Sequence, residues 1–158
     1  MTIHAVRIVK ARHAAQAFSG EGAKRFGGRW NGPGVAMVYT AGSASLAILE
    51  MLVHLPAHEL LKRYVLFDVT FDDSLVTAIH PATLPRVWRR SPPPIAVQHI
   101  GDKWIAGGRS VILRVPSVVV PTESNYLLNP AHPDFATLVI GPRHAVQIDP
   151  RLIKTPAS

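Results

Sequence analysis

At 158 residues, 47% of them apolar and only 17% charged, the chain fits one folded domain that buries roughly 68–70% of its extended surface, and intrinsic disorder is excluded. The absence of cysteine removes disulfides, thiolate nucleophiles and Cys-ligated zinc together, which points to a reducing compartment. The formal net charge is +7, and from Met1 to Arg29 six bases stand against one acid; such a block suits a phosphate-bearing ligand, nucleic acid or an acidic partner without choosing among them.

Ile3 to Val9 alternates loosely and reads as a first strand, followed by a short helix over Ala11 to Phe18. Arg7, Lys10 and Arg12 interrupt the apolar stretch a signal peptide would need, and no run approaches the roughly 18 residues of a spanning helix, so a cytoplasmic protein without membrane attachment is expected. Ser19 to Gly34 holds six of the eleven glycines and reads as a loop. Val35 to Thr40 is a short buried strand, and Ser43 caps a helix that runs to about His54, where Pro56 forbids continuation. Arg63 to Phe71 places Val65, Phe67, Val69 and Phe71 on one face of a strand, and Asp72-Asp73-Ser74 turns the chain. A helix starts at Pro92 or Pro93 and ends at Gly107-Gly108, with Arg89-Arg90 and the prolines forming a stiff basic lip before it. Ser110 to Val115, Ser117 to Val120, Thr137 to Ile140 and Ala145 to Ile148 read as strands, and Asn125 to Pro133 as a Pro-bounded loop. Without regular βαβ alternation, the expectation is a single α+β domain on a mixed or antiparallel sheet flanked by helices.

Glu50 is the only charged residue in a helix that is otherwise apolar on every side, and it shares a stripe with Leu46, Ala47, Val53 and His54. A carboxylate there must be desolvated, paired with a cation or turned into a cavity. A structural Glu–Arg pair competes on equal terms with a catalytic role. Phe26 to Gly34 (FGGRWNGPG) is the second feature: paired glycines let backbone N–H groups approach an anion, Arg29 supplies a fork for phosphate oxygens, and Trp30 offers a stacking face. It matches neither the P-loop nor the dinucleotide fingerprint, and a tight surface turn is the bland alternative. Glu50, His54 and His58 repeat at metal-ligand spacing, but Pro56 lies between the histidines and no metal is expected. Trp30, Trp88 and Trp104 are too dispersed for a nucleic-acid stacking platform, so direct nucleic-acid binding is disfavoured.

Gly20-Glu21-Gly22-Ala23, GGRWNGPG (Gly27 to Gly34), VYTA (Val38 to Ala41), SLAILEMLVH (Ser45 to His54), RVPSVVVP (Arg114 to Pro121) and NYLLNPAHPDF (Asn125 to Phe135), in this order, strongly resemble the RES-domain family. These are toxins of bacterial toxin–antitoxin pairs, named for an Arg, a Glu and a Ser, and the resemblance spans about Ala5 to Asp149, so one domain accounts for the whole chain. It implies a fold like that of ADP-ribosyltransferase toxins, consumption of NAD as substrate with no separate cofactor, and an Xre-type antitoxin as partner. The named positions fall on Arg29, Glu50 and Ser117. By the same resemblance Tyr39 stacks on nicotinamide, Arg7 helps Arg29 with the pyrophosphate, Ser117 bonds the ribose or nicotinamide side, and Gly28, Trp30 and Asn129 complete the substrate-binding set.

Cleaving nicotinamide from NAD releases a neutral group from a cationic ring, so one carboxylate suffices where ordinary glycoside hydrolysis uses two. Glu50 then steadies the oxocarbenium-like ribosyl cation. The acceptor is water, inorganic phosphate or a protein side chain. Arginine as acceptor is disfavoured, because Ile48 stands two residues before Glu50, where arginine-specific ADP-ribosyltransferases carry Glu or Gln. The competing readings are a transferase that modifies a protein target, a basic toxin that binds nucleic acid, and a catalytically dead interaction module.

Overall fold

In the computed structural model, which describes residues 1–154, the strand β1 (Thr2–Lys10) pairs antiparallel with β3 (Tyr64–Asp72) along its whole length, from Thr2↔Asp72 to Lys10↔Tyr64. The other strands are β2 (Val38–Ala41), β4 (Val76–Ala78), β5 (Ile112–Pro116), β6 (Ser124–Leu128), β7 (Val139–Ile140) and β8 (His144–Val146). They form one eight-stranded sheet in the order β4-β5-β6-β2-β1-β3-β7, with β8 also paired to β3. Only the β4–β5 pair is parallel, so the sheet is mixed and the α+β expectation holds.

The sheet buries both faces. Ala5, Val38, Val69, Ile112 and Leu128 pack on one side with Phe71 set edge-on to Tyr126, and Trp30, Met37, Leu113, Val115 and Leu127 pack on the other under the helix α4 (Ile95–Gly107). Its weak point is in the middle. β1 and β2 meet at one register position, Val6↔Ala41, whereas β1–β3 and β2–β6 pair along their lengths. The helix α2 (Ala44–His54) packs on β1 and β2 at this junction, its first turn capped by the Ser43 side chain accepting from Leu46 N–H.

Three expectations need correction. The glycine-rich segment is not all loop: Glu21–Phe26 forms the short helix α1. Gly20 and Gly27, both at φ +74°, bracket it, and Glu21 in its first turn with Lys24 and Arg25 in its last suit the helix dipole. The stretch Asn125 to Pro133 contributes a central strand, β6, because Tyr126, Leu127 and Leu128 alternate between the two buried faces. Ser117 to Val120 is a turn, since the Ser117 hydroxyl takes the Val119 and Val120 N–H groups that a ladder would use. The end of α2 at His54, before Pro56, is as expected, and a further short helix, α3 (Ala57–Leu60), follows with Pro56 at its N-terminus.

α4 sits tight on the loop that follows α1. A Cβ on Gly101 would come within 1.8 Å of the Trp30 carbonyl oxygen, so only glycine permits this approach. Gly101→Ala must push the helix off the loop and should destabilise the protein by about 2–3 kcal/mol, measured as a lowered midpoint in urea; an unchanged midpoint would show that this contact does not constrain the fold.

Candidate active site

The divergence of β1 from β2 opens a cavity of about 940 Å³ between α1, the glycine loop, the proline lip and α2. A smaller one of about 280 Å³ continues from it beneath α2. Arg7, Tyr39, Glu50, His54 and Asn125 line both. Among the described residues Glu50 is the only carboxylate in either wall.

Glu50 projects from α2 and is held by one residue on β6 and one just after β5. Its Oε1 accepts from the Ser117 hydroxyl at 2.8 Å and from Asn125 Nδ2 at 2.7 Å. Ser117 is fully buried, and its Oγ already accepts from two backbone N–H groups, so its single proton is committed to Glu50. In this geometry Ser117 supports the carboxylate and is not among the residues that line either cavity. The expected structural Glu–Arg pair is also absent, as no cation lies within ion-pair distance of Glu50 among the described residues.

Two arginines face this carboxylate across the cavity. Arg7 bridges the divergence by donating from Nε to Ala17 O and from Nη1 to Tyr39 O, the latter at 2.8 Å. It has no carboxylate partner among the described residues, and burial pushes its guanidinium down to about 10. Arg29 spends Nη1 on the carbonyls of Trp88 (2.9 Å) and Arg90 (2.7 Å), which ties the proline lip to the glycine loop. Burial lowers its pKa too, while the negative charge of Glu50 opposes the shift. Its Nε and Nη2 have no partner among the described residues, and that half of the fork can grip an anion. The remaining bases of the N-terminal block do other things: Lys10 pairs with Glu59, and Arg25 lies over the Phe26 ring.

The loop itself is built around Tyr39 and the fully buried Asn31. Tyr39 Oη accepts from Trp30 N–H at 3.1 Å and donates to Asn31 Oδ1 at 2.6 Å, and burial raises the phenol well above its usual pKa. Gly28 must lack a side chain here, since a Cβ would meet Tyr39 Oη at 2.5 Å. α4 holds the outside of the loop through Gln98 Nε2 on Gly28 O (2.9 Å) and Asp102 accepting from Gly32 N–H (3.0 Å). Tyr39 therefore lines the cavity while its hydroxyl is used up by the scaffold.

Arg7, Gly28, Arg29, Tyr39 and Glu50 thus meet around one cavity. Trp30 borders it, but its ring is 2% exposed and packs against Trp88 at 6.2 Å, so it is wall and not a stacking platform. Asn129 lies outside the cavity walls; it is buried past the end of β6 and accepts from Ala131 N–H, as turn-forming asparagines do. The asparagine that lines both cavities is Asn125, four residues earlier, on β6. His54 also lines both cavities. No cluster of three or more metal-ligating side chains occurs among the described residues, and none of their helices is long and apolar enough to cross a membrane.

The RES domain pattern matches residues 4–149 of this chain. The chain belongs to the RES domain family. The RES chain is 42% identical over 147 residues to a protein of Yersinia enterocolitica named Toxin Res, covering 92% of this chain and 97% of that one. It is 41% identical over 145 residues to a Sphingobium protein named Prs ADP-ribosylating toxin, covering 90% of each. Homology at this level makes the RES chain a toxin of that family. Its fold is similar to one in the solved Mycobacterium tuberculosis MbcT–MbcA toxin–antitoxin complex, with a TM-score of 0.78 at 21% identity over 97% of this chain and 87% of that one.

Proposed function

We propose that the RES chain arrests growth by consuming NAD, breaking the bond between nicotinamide and ribose and passing the ADP-ribosyl group to water or inorganic phosphate. The observation that carries this reading is a single carboxylate, without a cationic partner, set across a cavity from two arginines with unspent N–H donors. Arg7 and Arg29 suit the pyrophosphate, and the Tyr39 ring face suits the nicotinamide. As the C1′–N1 bond breaks, its electron pair stays with the ring nitrogen and nicotinamide leaves neutral, so no proton donor is required. Positive charge moves to the ribose, where Glu50 stabilises it. The acceptor then adds at C1′ and gives up its proton. Inducing the chain in bacteria and measuring cellular NAD tests this: NAD should fall with the intact chain and not with Glu50→Gln, and undiminished NAD in cells making the intact chain would overturn the reading.

A second reading, transfer of ADP-ribose to a protein, draws on the name of the Sphingobium relative. Ile48 stands two residues before Glu50 and offers nothing to hold a guanidinium, so an arginine acceptor is disfavoured. Nicotinamide release without protein labelling separates the two readings.

A cytoplasmic toxin that destroys NAD must be restrained in its host, and we assign that role to an Xre-type antitoxin. Arg29, bound to the Arg90 carbonyl, together with Arg7, gives the cavity mouth an affinity for anions. An acidic or carboxylate-terminated segment of the antitoxin would compete with NAD there. Association should slow as salt rises, and NAD should weaken inhibition. Inhibition indifferent to NAD, with an association rate flat across a salt titration, would place the antitoxin elsewhere.

A further inference from the structure

The hydrogen bonds around Glu50 concern one of its oxygens only. Oε1 takes both protein donors, Ser117 and Asn125, and Oε2 takes none among the described residues. Asn125 lies on β6 opposite Ala41 of β2 and Val115 of β5, so rigid strands on both sides fix its backbone. Its amide is also lopsided: Nδ2 serves Glu50, while Oδ1 is buried with no donor. Leaving an acceptor unsatisfied costs stability, and the amide accepts that cost by turning its N–H toward the carboxylate.

We infer that Asn125 is a positioning residue that acts through Glu50. With Ser117 it clamps Oε1 against the sheet, so that Oε2 alone is presented to the cavity, where it can accept from a ribose hydroxyl and face the cation that develops at C1′. The inference rests on the proposed NAD cleavage for its chemistry, whereas the clamp itself is a matter of stability as well.

The test is a double-mutant cycle between positions 50 and 125, read by thermal unfolding and by nicotinamide release from NAD. Asn125→Asp keeps the side-chain shape but replaces the donor with a second carboxylate at 2.7 Å from Oε1. It should lower kcat by about 100-fold and the unfolding midpoint by about 5 °C. In a Glu50→Gln background the same change should cause no further loss of kcat, and at least half of the midpoint loss should vanish because the opposing charge is gone. Asn125→Ala, which removes the donor without adding charge, should lower kcat about 10-fold with KM for NAD within about threefold of wild type. Losses at the two positions that simply multiply, or a folded Asn125→Ala protein with wild-type kcat, would overturn the inference. If the wild-type chain releases no nicotinamide, the proposed reaction fails, and the midpoint cycle still decides the clamp: coupled midpoints uphold it and independent ones refute it.

Discussion

Glu50→Gln should leave the fold in place and lower NAD cleavage by about 10²–10³-fold, the scale of losing one preorganised electrostatic contact to a developing charge. The fold should survive because glutamine keeps an Oε1 that can accept from Ser117 and Asn125 as the carboxylate does. What disappears is the negative charge at the free oxygen. Since ground-state NAD carries its positive charge on the nicotinamide ring and the transition state carries it on the ribose, the loss should fall on kcat with KM little changed. Circular dichroism and steady-state kinetics on the purified variant check this. A folded Glu50→Gln protein with an unaltered turnover rate would remove Glu50 from the reaction.

Arg29→Lys should raise KM for NAD by about 10–100-fold, from the loss of a charge-assisted hydrogen bond. The guanidinium holds the carbonyls of Trp88 and Arg90 with Nη1 and keeps Nε and Nη2 for an anion. A single ammonium cannot do both, because its charge is retained but its planar two-sided geometry is not. Wild-type KM and kcat in Arg29→Lys would show that the pyrophosphate is held elsewhere, with Arg7 as the remaining candidate.

The parts of this site that were legible in the sequence are those where one residue conflicts with its surroundings. A lone carboxylate on an apolar helix marked Glu50, and a Ser followed by an apolar run marked the start of α2 at its cap. The long amphipathic strand β3 was visible from its alternation, and Gly108, at φ +59°, closes α4 where paired glycines announced a stop. What stayed hidden depends on partners distant in sequence. Ser117 looked like the start of a valine strand, and only its position behind Glu50, 67 residues away, shows a hydroxyl turned aside from the ladder. Asn125 and Asn129 carry the same residue type in the same motif. Pairing of β6 with β2 is what sets the first beside the cavity and leaves the second in a turn. Three consecutive apolar residues between the two asparagines were the available signal for that strand, and the flanking Asn and Pro residues obscured it.

The basic N-terminal block illustrates the same point for charge. Composition can register six bases, but only Arg7 and Arg29 turn toward the cavity, while Lys10 is taken by Glu59 on α3. Two cations lining one cavity, and not a broad positive face, form the anion site on which the proposed reaction depends.

The most direct measurement is the release of free nicotinamide from NAD by the purified chain, with and without inorganic phosphate and with no protein acceptor present. Stoichiometric nicotinamide release is expected, accompanied by ADP-ribose or its phosphorylated product, falling by about 10²–10³-fold in Glu50→Gln. NAD left intact by a folded, antitoxin-free chain under both conditions would contradict it.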